Sequence, residues 1–129
     1  MQTTNRQHDA RVIRLAELNE KLGKPTAFVY RSLLSFRNAS DVVPAPATKI
    51  CRWIGVNSIY RSLRILREAS LVVDVPARES SSGRGLLVFG RELPLAVIDS
   101  DGVSQTLLAV SDATARWLNT CEERLQNAR

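Results

Sequence analysis

The arrangement of aliphatic residues and arginines between positions 57 and 70 constrains the fold more than any other feature of this 129-residue sequence. If the segment is helical, with about 100° per residue, four residues fall within about 60° of one another: Ile59, Leu63, Leu66 and Ser70. Arg61 and Arg64 then lie on the opposite side. Such a helix has to lie at a protein surface, because its aliphatic side needs a core while its guanidinium groups need water or a negatively charged partner.

Apolar spacing and turn residues predict two helices within the first 38 residues. The first follows Asp9, which can cap it, and ends before Gly23 and Pro25. Its apolar stripe consists of Val12, Leu15, Leu18 and Leu22. The second spans 25–38, with Pro25 in its first turn. Its apolar side consists of Phe28, Val29, Leu33 and Phe36.

Two further helices are predicted, one short and one at the C-terminus. The short helix spans 47–55 and stops at Gly55. Its inward residues are Ile50, Cys51 and Ile54. The C-terminal helix is capped by Ser111 or Asp112. Its apolar stripe consists of Ala113, Trp117, Cys121 and Leu125.

Strand-forming residues predict one hairpin and leave a second segment ambiguous. Residues 71–75 and 86–89 are rich in β-branched and other apolar residues, and the polar stretch between them predicts a long-looped hairpin. Residues 93–110 can form two strands joined at Asp101-Gly102, a common turn pair, or can contain part of a helix.

The charge is distributed unevenly along the chain. Residues 1–44 hold seven Lys and Arg against four Asp and Glu, residues 45–91 hold eight against three, and residues 92–129 hold three against six. The middle third therefore carries an excess of five positive charges, equal to that of the whole chain, while the C-terminal third is acidic. This pattern favours a polyanionic partner for the middle third and a different task for the C-terminal third.

Residues 26–90 present a helix, a short helix, a turn, a basic helix and a long hairpin, an order that resembles the winged-helix class of helix-turn-helix proteins. The stretches ICRWIGV, IYRSLRILREASLV and GRGLLVF carry the resemblance. They are similar to the support helix, recognition helix and wing of domains in bacterial, phage and plasmid transcription regulators and replication proteins. The turn before Arg61 is shorter than usual in that family, which implies a tighter turn or a later helix start. Ser70 stands where the family often has glycine.

In winged-helix proteins the recognition helix enters the major groove, and the wing contacts phosphates or the minor groove. The resemblance implies a recognition helix over 57–70 and a basic wing over 76–85. It implies DNA contacts at ten residues: Lys49, Arg52, Asn57, Ser58, Tyr60, Arg61, Arg64, Arg67, Arg78 and Arg84. Arg61 and Arg64 suit base edges, because a guanidinium group can donate two parallel hydrogen bonds to guanine or phosphate.

The other basic residues are expected to position the protein on phosphates without reading sequence, as Lys49, Arg52 and Arg67 could do. Asn57 is also expected to cap the recognition helix, because its side-chain oxygen can accept from the amides of the first turn. The glycines on both sides of Arg84 are expected to let the backbone of the wing approach a groove closely.

Several functions are disfavoured. His8 is the only histidine, so we expect no histidine-based catalytic site, no metal site and no cofactor. No apolar run approaches the roughly 20 residues needed to span a bilayer, and no signal core is present, so we expect a cytoplasmic protein without a membrane partner. Cys51 and Cys121 are expected to be reduced thiols, and Trp53 and Trp117 to be packing residues.

These observations predict an α+β, mainly helical fold, a winged helix-turn-helix with additional N- and C-terminal helices. The expected domains are a helical extension (1–24), the DNA-binding domain (25–91), and a hairpin and helix for dimerisation (92–129). The predicted function is sequence-specific binding of double-stranded DNA by a homodimeric transcriptional regulator, not catalysis. The alternatives are a plasmid or phage replication or partition factor, and a protein-interaction module with an acidic partner. The stripes of the first and last helices could form a dimer interface or complete the monomer core.

Overall fold

A computed structural model describes residues 11–127, except for the side chains of residue 95 and residues 125–127. The helices are α1 (Leu15–Leu22), α2 (Lys24–Phe36), α3 (Ala47–Ile54), α4 (Tyr60–Glu68) and α5 (Asp112–Asn127). The strands are β1 (Arg11–Arg14), β2 (Val42–Val43), β3 (Val72–Pro76), β4 (Arg84–Val88), β5 (Arg91–Ile98) and β6 (Ser104–Val110). Two antiparallel sheets result, with strand orders β1-β6-β5 and β2-β4-β3.

The expectation of a mainly helical protein is wrong. Between residues 11 and 127, six strands form two three-stranded sheets beside five helices. The sheet that contains β1, β5 and β6 accounts for much of the difference, because β1 replaces the start of a predicted helix. Its pairing with β6 joins the two ends of the chain, and local sequence patterns do not reveal such a long-range pairing.

The first predicted helix is shorter than expected. Residues Arg11–Arg14 form β1, and Asp9, the expected cap, lies outside the described residues. Helix α1 begins at Leu15 and ends at Gly23, where φ is +86° and the backbone N–H donates to the carbonyl of Asn19 at 3.0 Å. Glycine suits this position, because a side chain would strain a backbone with positive φ.

The central part of the chain runs in the order α2, β2, α3, α4, β3 and β4. Helices α2 and α3 and the β3–β4 hairpin agree with the sequence-based expectation. Strand β2 was not predicted, because Val42 and Val43 lie in a proline-containing connection; they pair with Leu87 and Leu86 of β4. This pairing closes a small sheet on which the helices pack.

One continuous core joins both sheets and the helices. Its largest members are Leu18, Leu22, Val29, Tyr30, Leu33, Val43, Ile50, Ile59, Leu63, Leu66, Leu71, Val72, Leu86, Val88, Leu108, Val110 and Leu118. The buried side of α2 follows the i, i+3, i+4, i+7 pattern from Thr26 to Leu33, and it includes Tyr30. Phe28 and Phe36, which were expected to face inward, are partly exposed because they lie beside this stripe.

Tyr30 and Arg37 tie α2 to the segment that joins the two sheets. The Tyr30 hydroxyl, at the end of a buried ring, donates to the carbonyl of Phe89 at 2.7 Å. The Arg37 guanidinium donates to the carbonyls of Val88 and Gly90 at 2.9 and 2.7 Å. These bonds fix the chain where it passes from β4 into β5.

Replacing Tyr30 by Phe removes the hydroxyl bond, and we expect a loss of about 1 kcal/mol in the free energy of unfolding near neutral pH. Burial raises the pKa of Tyr30 above its ordinary value of 10.0, although the nearby Arg37 acts in the opposite direction. The contribution of the tyrosine proton is complete below that ordinary value and is lost as the pH rises above it. Denaturant unfolding measures the free energy of unfolding of the parent and of Tyr30→Phe at about pH 7 and about pH 11. The difference between the two proteins should be smaller at the higher pH. A larger difference at the higher pH would contradict the assignment of a buried, protonated Tyr30 hydroxyl.

Residues 93–110 take the first of the two predicted alternatives, a hairpin. The turn is organised by Asp99, whose carboxylate accepts from the N–H groups of Asp101 and Val103 at 2.9 Å each and from the Gln105 amide at 2.9 Å. These bonds, that of Val103 first, lower the pKa of Asp99. Gly102 adopts a φ of +79°, as the Asp-Gly turn requires.

Helix α5 is capped by Ser111, whose hydroxyl accepts from the N–H of Thr114 at 3.1 Å. Its fully buried residues are Thr114 and Leu118, and the Thr114 hydroxyl donates to the carbonyl of Ala69 at 2.7 Å. The expected stripe through Ala113 is therefore wrong in detail: Ala113, Trp117 and Cys121 are only partly buried, and the side chain of Leu125 is outside the described part. The buried side of α5 runs through Thr114 and Leu118, one position after the predicted Ala113 and Trp117. The bond from Thr114 to Ala69, the residue after α4, holds this side against the core.

Candidate functional site

Helix α4 presents Arg61 and Arg64 at the surface as the sequence predicts. Ile59, Leu63 and Leu66 are at most 1% exposed, and both arginines are exposed. With about 100° per residue, the direction opposite to these three buried residues falls between the two arginines, about 15° from Arg61 and about 45° from Arg64. The Thr26 hydroxyl, buried in α2, donates to that of Ser62 at 3.3 Å. The arginine face is therefore carried on a helix anchored by core packing.

The start of α4 differs from the expected recognition helix. The helix begins at Tyr60, after Ile59, and no side chain caps it, so the prediction that Asn57 is the cap is wrong. The Ser58 hydroxyl accepts from the Tyr60 N–H at 3.3 Å, which forms a local turn. The physical reason is the burial of Ile59, whose side chain is drawn into the core before the helix starts. Asn57, Ser58 and Tyr60 all remain exposed.

The end of α4 also differs, since the helix stops at Glu68 and not at position 70. Ser70 adopts a φ of +61°, the left-handed conformation that glycine occupies most readily. The N–H of Leu71 donates to the carbonyl of Leu66 at 2.9 Å and closes the helix.

Most cations of the central segment have no partner within the described chain. Six exposed cations of residues 45–91 form no hydrogen bond or ion pair with another described residue: Lys49, Arg52, Arg61, Arg64, Arg78 and Arg84. Outside this segment the same holds for Lys24, Arg31 and Arg124. Several cations nearer the ends of the chain lie within 4.0 Å of a carboxylate: Arg11, Arg14, Lys21, Arg37 and Arg116. The positive charge of α3, α4 and the β3–β4 loop therefore remains available to an external anion.

Arg67, which is predicted to contact phosphate, is paired within the chain. Its Nε and Nη2 atoms donate to the two carboxylate oxygens of Asp74 at 3.1 and 3.0 Å. This two-pronged pair joins the last turn of α4 to β3 and offsets the charge of Arg67. Arg67 is thus exposed but engaged within the chain, so it fits an external contact less well than Arg64.

The β3–β4 loop is held by its own backbone. Ala77 N–H donates to the Gly83 carbonyl, and Gly83 N–H donates to the Ser80 carbonyl, both at 3.0 Å. Ser80 is buried in this loop, while Arg78 and Arg84 are exposed on its two sides. The β3–β4 loop therefore displays two guanidinium groups on an organised turn.

Gly85 does not have the role expected of it. It is buried, and a Cβ atom there would lie 2.7 Å from the Val43 carbonyl and 3.0 Å from the Cβ of Ala77. The glycine is required for the close packing of β4 against β2, and not for an approach to a groove. Gly83, with a φ of +73° and open space around it, is the glycine of the exposed turn.

Helix α3 adds Lys49 and Arg52 and an aromatic pair that the sequence did not suggest. Trp53 is 48% exposed, and its ring meets that of Phe36 edge to face, with centroids 5.5 Å apart. Trp53 therefore packs only on one side, whereas Trp117 packs against the core as expected. The spacing of apolar residues along one helix could not reveal the Phe36–Trp53 pair, because its two rings belong to different helices.

The remaining predictions concern metal binding, the two cysteines and the membrane. Within residues 11–127, no group of His, Cys, Asp and Glu is placed to hold a metal ion. His8 lies outside this range. Cys51 is buried and Cys121 partly buried, and both are free thiols. Among the described helices, none has the length and apolarity to cross a membrane.

Comparisons with known proteins found no relative of this chain. No family model matches the sequence, and neither a curated protein nor a solved structure matches it.

Proposed function

We propose that this chain is a sequence-specific double-stranded DNA-binding protein of the winged-helix type, acting as a homodimeric transcriptional regulator. In this proposal α4 enters the major groove, and the β3–β4 loop contacts the neighbouring backbone. The order α2, β2, α3, α4, β3, β4 and the sheet order β2-β4-β3 support it, since they set a basic helix before a basic-tipped hairpin.

The observation that carries the proposal is the free, outward face formed by Arg61 and Arg64. An arginine paired with a carboxylate, as Arg116 is with Asp112, has its charge partly offset within the chain. Arg61 and Arg64 lack such partners among the described residues, and the core fixes the helix beneath them. That combination suits base edges and phosphates, which need donors on a rigid helix.

Other residues are proposed to position the helix. Lys49 and Arg52 on α3 and Arg78 and Arg84 on the wing are exposed cations suited to phosphate contacts. Glu68 lies on the same side of α4 as the two arginines. A carboxylate there repels phosphate, so we place the first turns of α4, rather than its end, closest to the DNA backbone.

Arg84→Ala tests the role of the wing. Loss of one phosphate contact should make the plot of log affinity against log salt concentration shallower by about one unit. The matched control is Arg116→Ala on α5, which removes the same charge far along the chain and should leave the slope unchanged. An unchanged slope for Arg84→Ala would remove the wing from the proposed interface.

Fluorescence anisotropy tests the proposed function as a whole. A labelled duplex is titrated with the chain at several salt concentrations, with the corresponding single strand and a polyglutamate peptide as competitors. We expect salt-dependent binding to the duplex that neither competitor removes at equal charge concentration. Absence of duplex binding at low salt would contradict the proposal.

The Phe36–Trp53 pair favours a second candidate function, an interaction module for an acidic protein. Exposed aromatic residues beside cations are typical of protein interfaces, and Arg52 precedes Trp53. In the same titration, this candidate predicts that polyglutamate displaces the duplex and that Trp53→Ala weakens binding of the peptide. DNA binding predicts displacement only by further duplex.

A further inference from the structure

A cavity of about 440 Å³ lies where the end of α4, the β3–β4 hairpin and the start of α5 meet. Val73 of β3 and Leu87 of β4 are register partners that both line it, so their side chains stand side by side on one face of the sheet. Phe89, which follows β4, lines the cavity as well. Val73 is 46% exposed, and Leu87 and Phe89 are only partly buried. These three residues form an apolar floor that the core of this chain does not cover.

Two helix ends form walls beside this floor. Four polar residues line the walls: Arg67 and Ser70 at the end of α4, and Ser111 and Asp112 at the start of α5. The two helices are joined by a buried hydrogen bond, in which the Thr114 hydroxyl donates to the Ala69 carbonyl at 2.7 Å. The cavity is therefore shaped by elements that are fixed relative to one another.

The charged groups of the walls are already paired within the chain. Arg67 donates to both carboxylate oxygens of Asp74, and Asp112 lies 2.9 Å from Arg11 and 3.3 Å from Arg116. Placing a charge against an apolar surface is costly unless an opposite charge compensates it. The residues that line the cavity offer no uncompensated charge, so the cavity suits a neutral ligand.

The size of the cavity and the composition of the chain indicate a small foreign molecule. Small-molecule sites occupy about 300–1,000 Å³, whereas a stable protein interface takes roughly 800 Å² from each partner. Residues 2–9, which precede Arg11 of β1, contain no apolar side chain, so this stretch of the chain does not suit an apolar floor.

We infer that this cavity binds one neutral, mainly apolar small molecule, with an aromatic or branched aliphatic body against Val73, Leu87 and Phe89. The Ser70 hydroxyl, which has no hydrogen-bond partner between residues 11 and 127, can bond to a single polar group of the ligand. The inference goes beyond the proposed function, because occupation of the cavity requires no DNA and involves neither Arg61 nor Arg64.

A fluorescence titration with N-phenyl-1-naphthylamine, a neutral aromatic probe, tests the site on the whole chain. We expect saturable binding of one probe molecule per chain. Val73→Trp places a larger side chain in the cavity and should raise the dissociation constant of the probe by about tenfold or more. The matched control is Val97→Trp in β5 of the other sheet, where the valine is 50% exposed; it should bind the probe like the parent.

Competitors that share one ring system test the expected charge of the ligand. Neutral 1-naphthol should displace the probe at a lower concentration than anionic 1-naphthoate or cationic 1-naphthylmethylammonium. Displacement by either charged compound at an equal or lower concentration would overturn the assignment of a neutral ligand.

Probe binding that does not saturate, or a folded Val73→Trp variant that binds the probe like the parent, would overturn the inference. If Val73→Trp does not fold, amide chemical shifts of the parent replace it. The probe should shift the signals of residues 70, 73, 87 and 89, and shifts confined to other residues would overturn the site. A chain that binds duplex DNA but not the probe overturns this inference alone, and a chain that binds the probe in this cavity but ignores duplex DNA overturns only the proposed function.

Discussion

The double substitution Arg61→Ala and Arg64→Ala should abolish sequence preference in DNA binding while leaving the fold intact. Each arginine that donates to a base edge contributes about 1–3 kcal/mol of discrimination, so each single variant should lose roughly 5- to 150-fold in affinity for the preferred duplex. If the two contacts act independently, the losses multiply. The measurement is a titration of each variant against the preferred duplex and a scrambled duplex of equal length.

The matched control is Arg116→Ala combined with Arg11→Ala, which removes two charges from arginines already paired with Asp112. This control should bind both duplexes like the parent, apart from a small uniform loss. If Arg61→Ala and Arg64→Ala weaken binding equally on preferred and scrambled duplexes, the two residues contact phosphates and do not read bases. If neither substitution changes binding, α4 is not in the interface.

Leu63→Ala should destabilise the fold strongly. Leu63 is 1% exposed and lies between Ile59 and Leu66 on the buried side of the helix. Truncating a buried leucine removes apolar contacts and leaves a cavity, so we expect a loss of about 2–5 kcal/mol in the free energy of unfolding. Chemical denaturation followed by circular dichroism measures this loss.

Arg64→Ala is the control on the same helix, because it removes a side chain from the exposed face. We expect its unfolding free energy to stay within about 0.5 kcal/mol of the parent. The two substitutions thus separate the two faces: Leu63→Ala weakens the fold, and Arg64→Ala weakens DNA binding. Equal stability of Leu63→Ala and the parent would show that the buried and exposed sides of α4 are assigned wrongly.

Local patterns in the sequence were sufficient for the central elements. The stripe through Leu63 and Leu66 correctly predicts the buried side of α4, and Gly55 correctly predicts the end of α3, where φ is +75°. The polar stretch before Arg84 correctly predicts a long-looped hairpin. These features depend on residues close together in sequence, where helical spacing and turn preference act directly.

Features that depend on distant residues could not be predicted. Val42 and Val43 form β2 only because β4 offers them an edge, and β1 exists only because β6 does. The boundaries of α4 were also misjudged, since the burial of Ile59 delays the start of the helix. Tertiary packing, and not the intrinsic helix or strand propensity of the residues, decides whether these strands form and where α4 begins.

The candidate site shows the same division. The sequence identifies which side of α4 carries Arg61 and Arg64, because this follows from helical geometry alone. It cannot show that Arg67 is bound to Asp74, or that Gly85 serves the contact with Val43. Both facts depend on how β3 and β4 approach their neighbours in space.

Selection of bound duplexes from a pool with random central sequence tests the central claim most directly. The parent chain and the Arg61→Ala, Arg64→Ala double variant are carried through the same rounds and the same sequencing. We predict that the parent enriches a defined motif and that the double variant, although folded, enriches none. Failure of the parent to enrich any motif, or enrichment of the same motif by both proteins, would contradict the claim that the arginine face of α4 reads DNA.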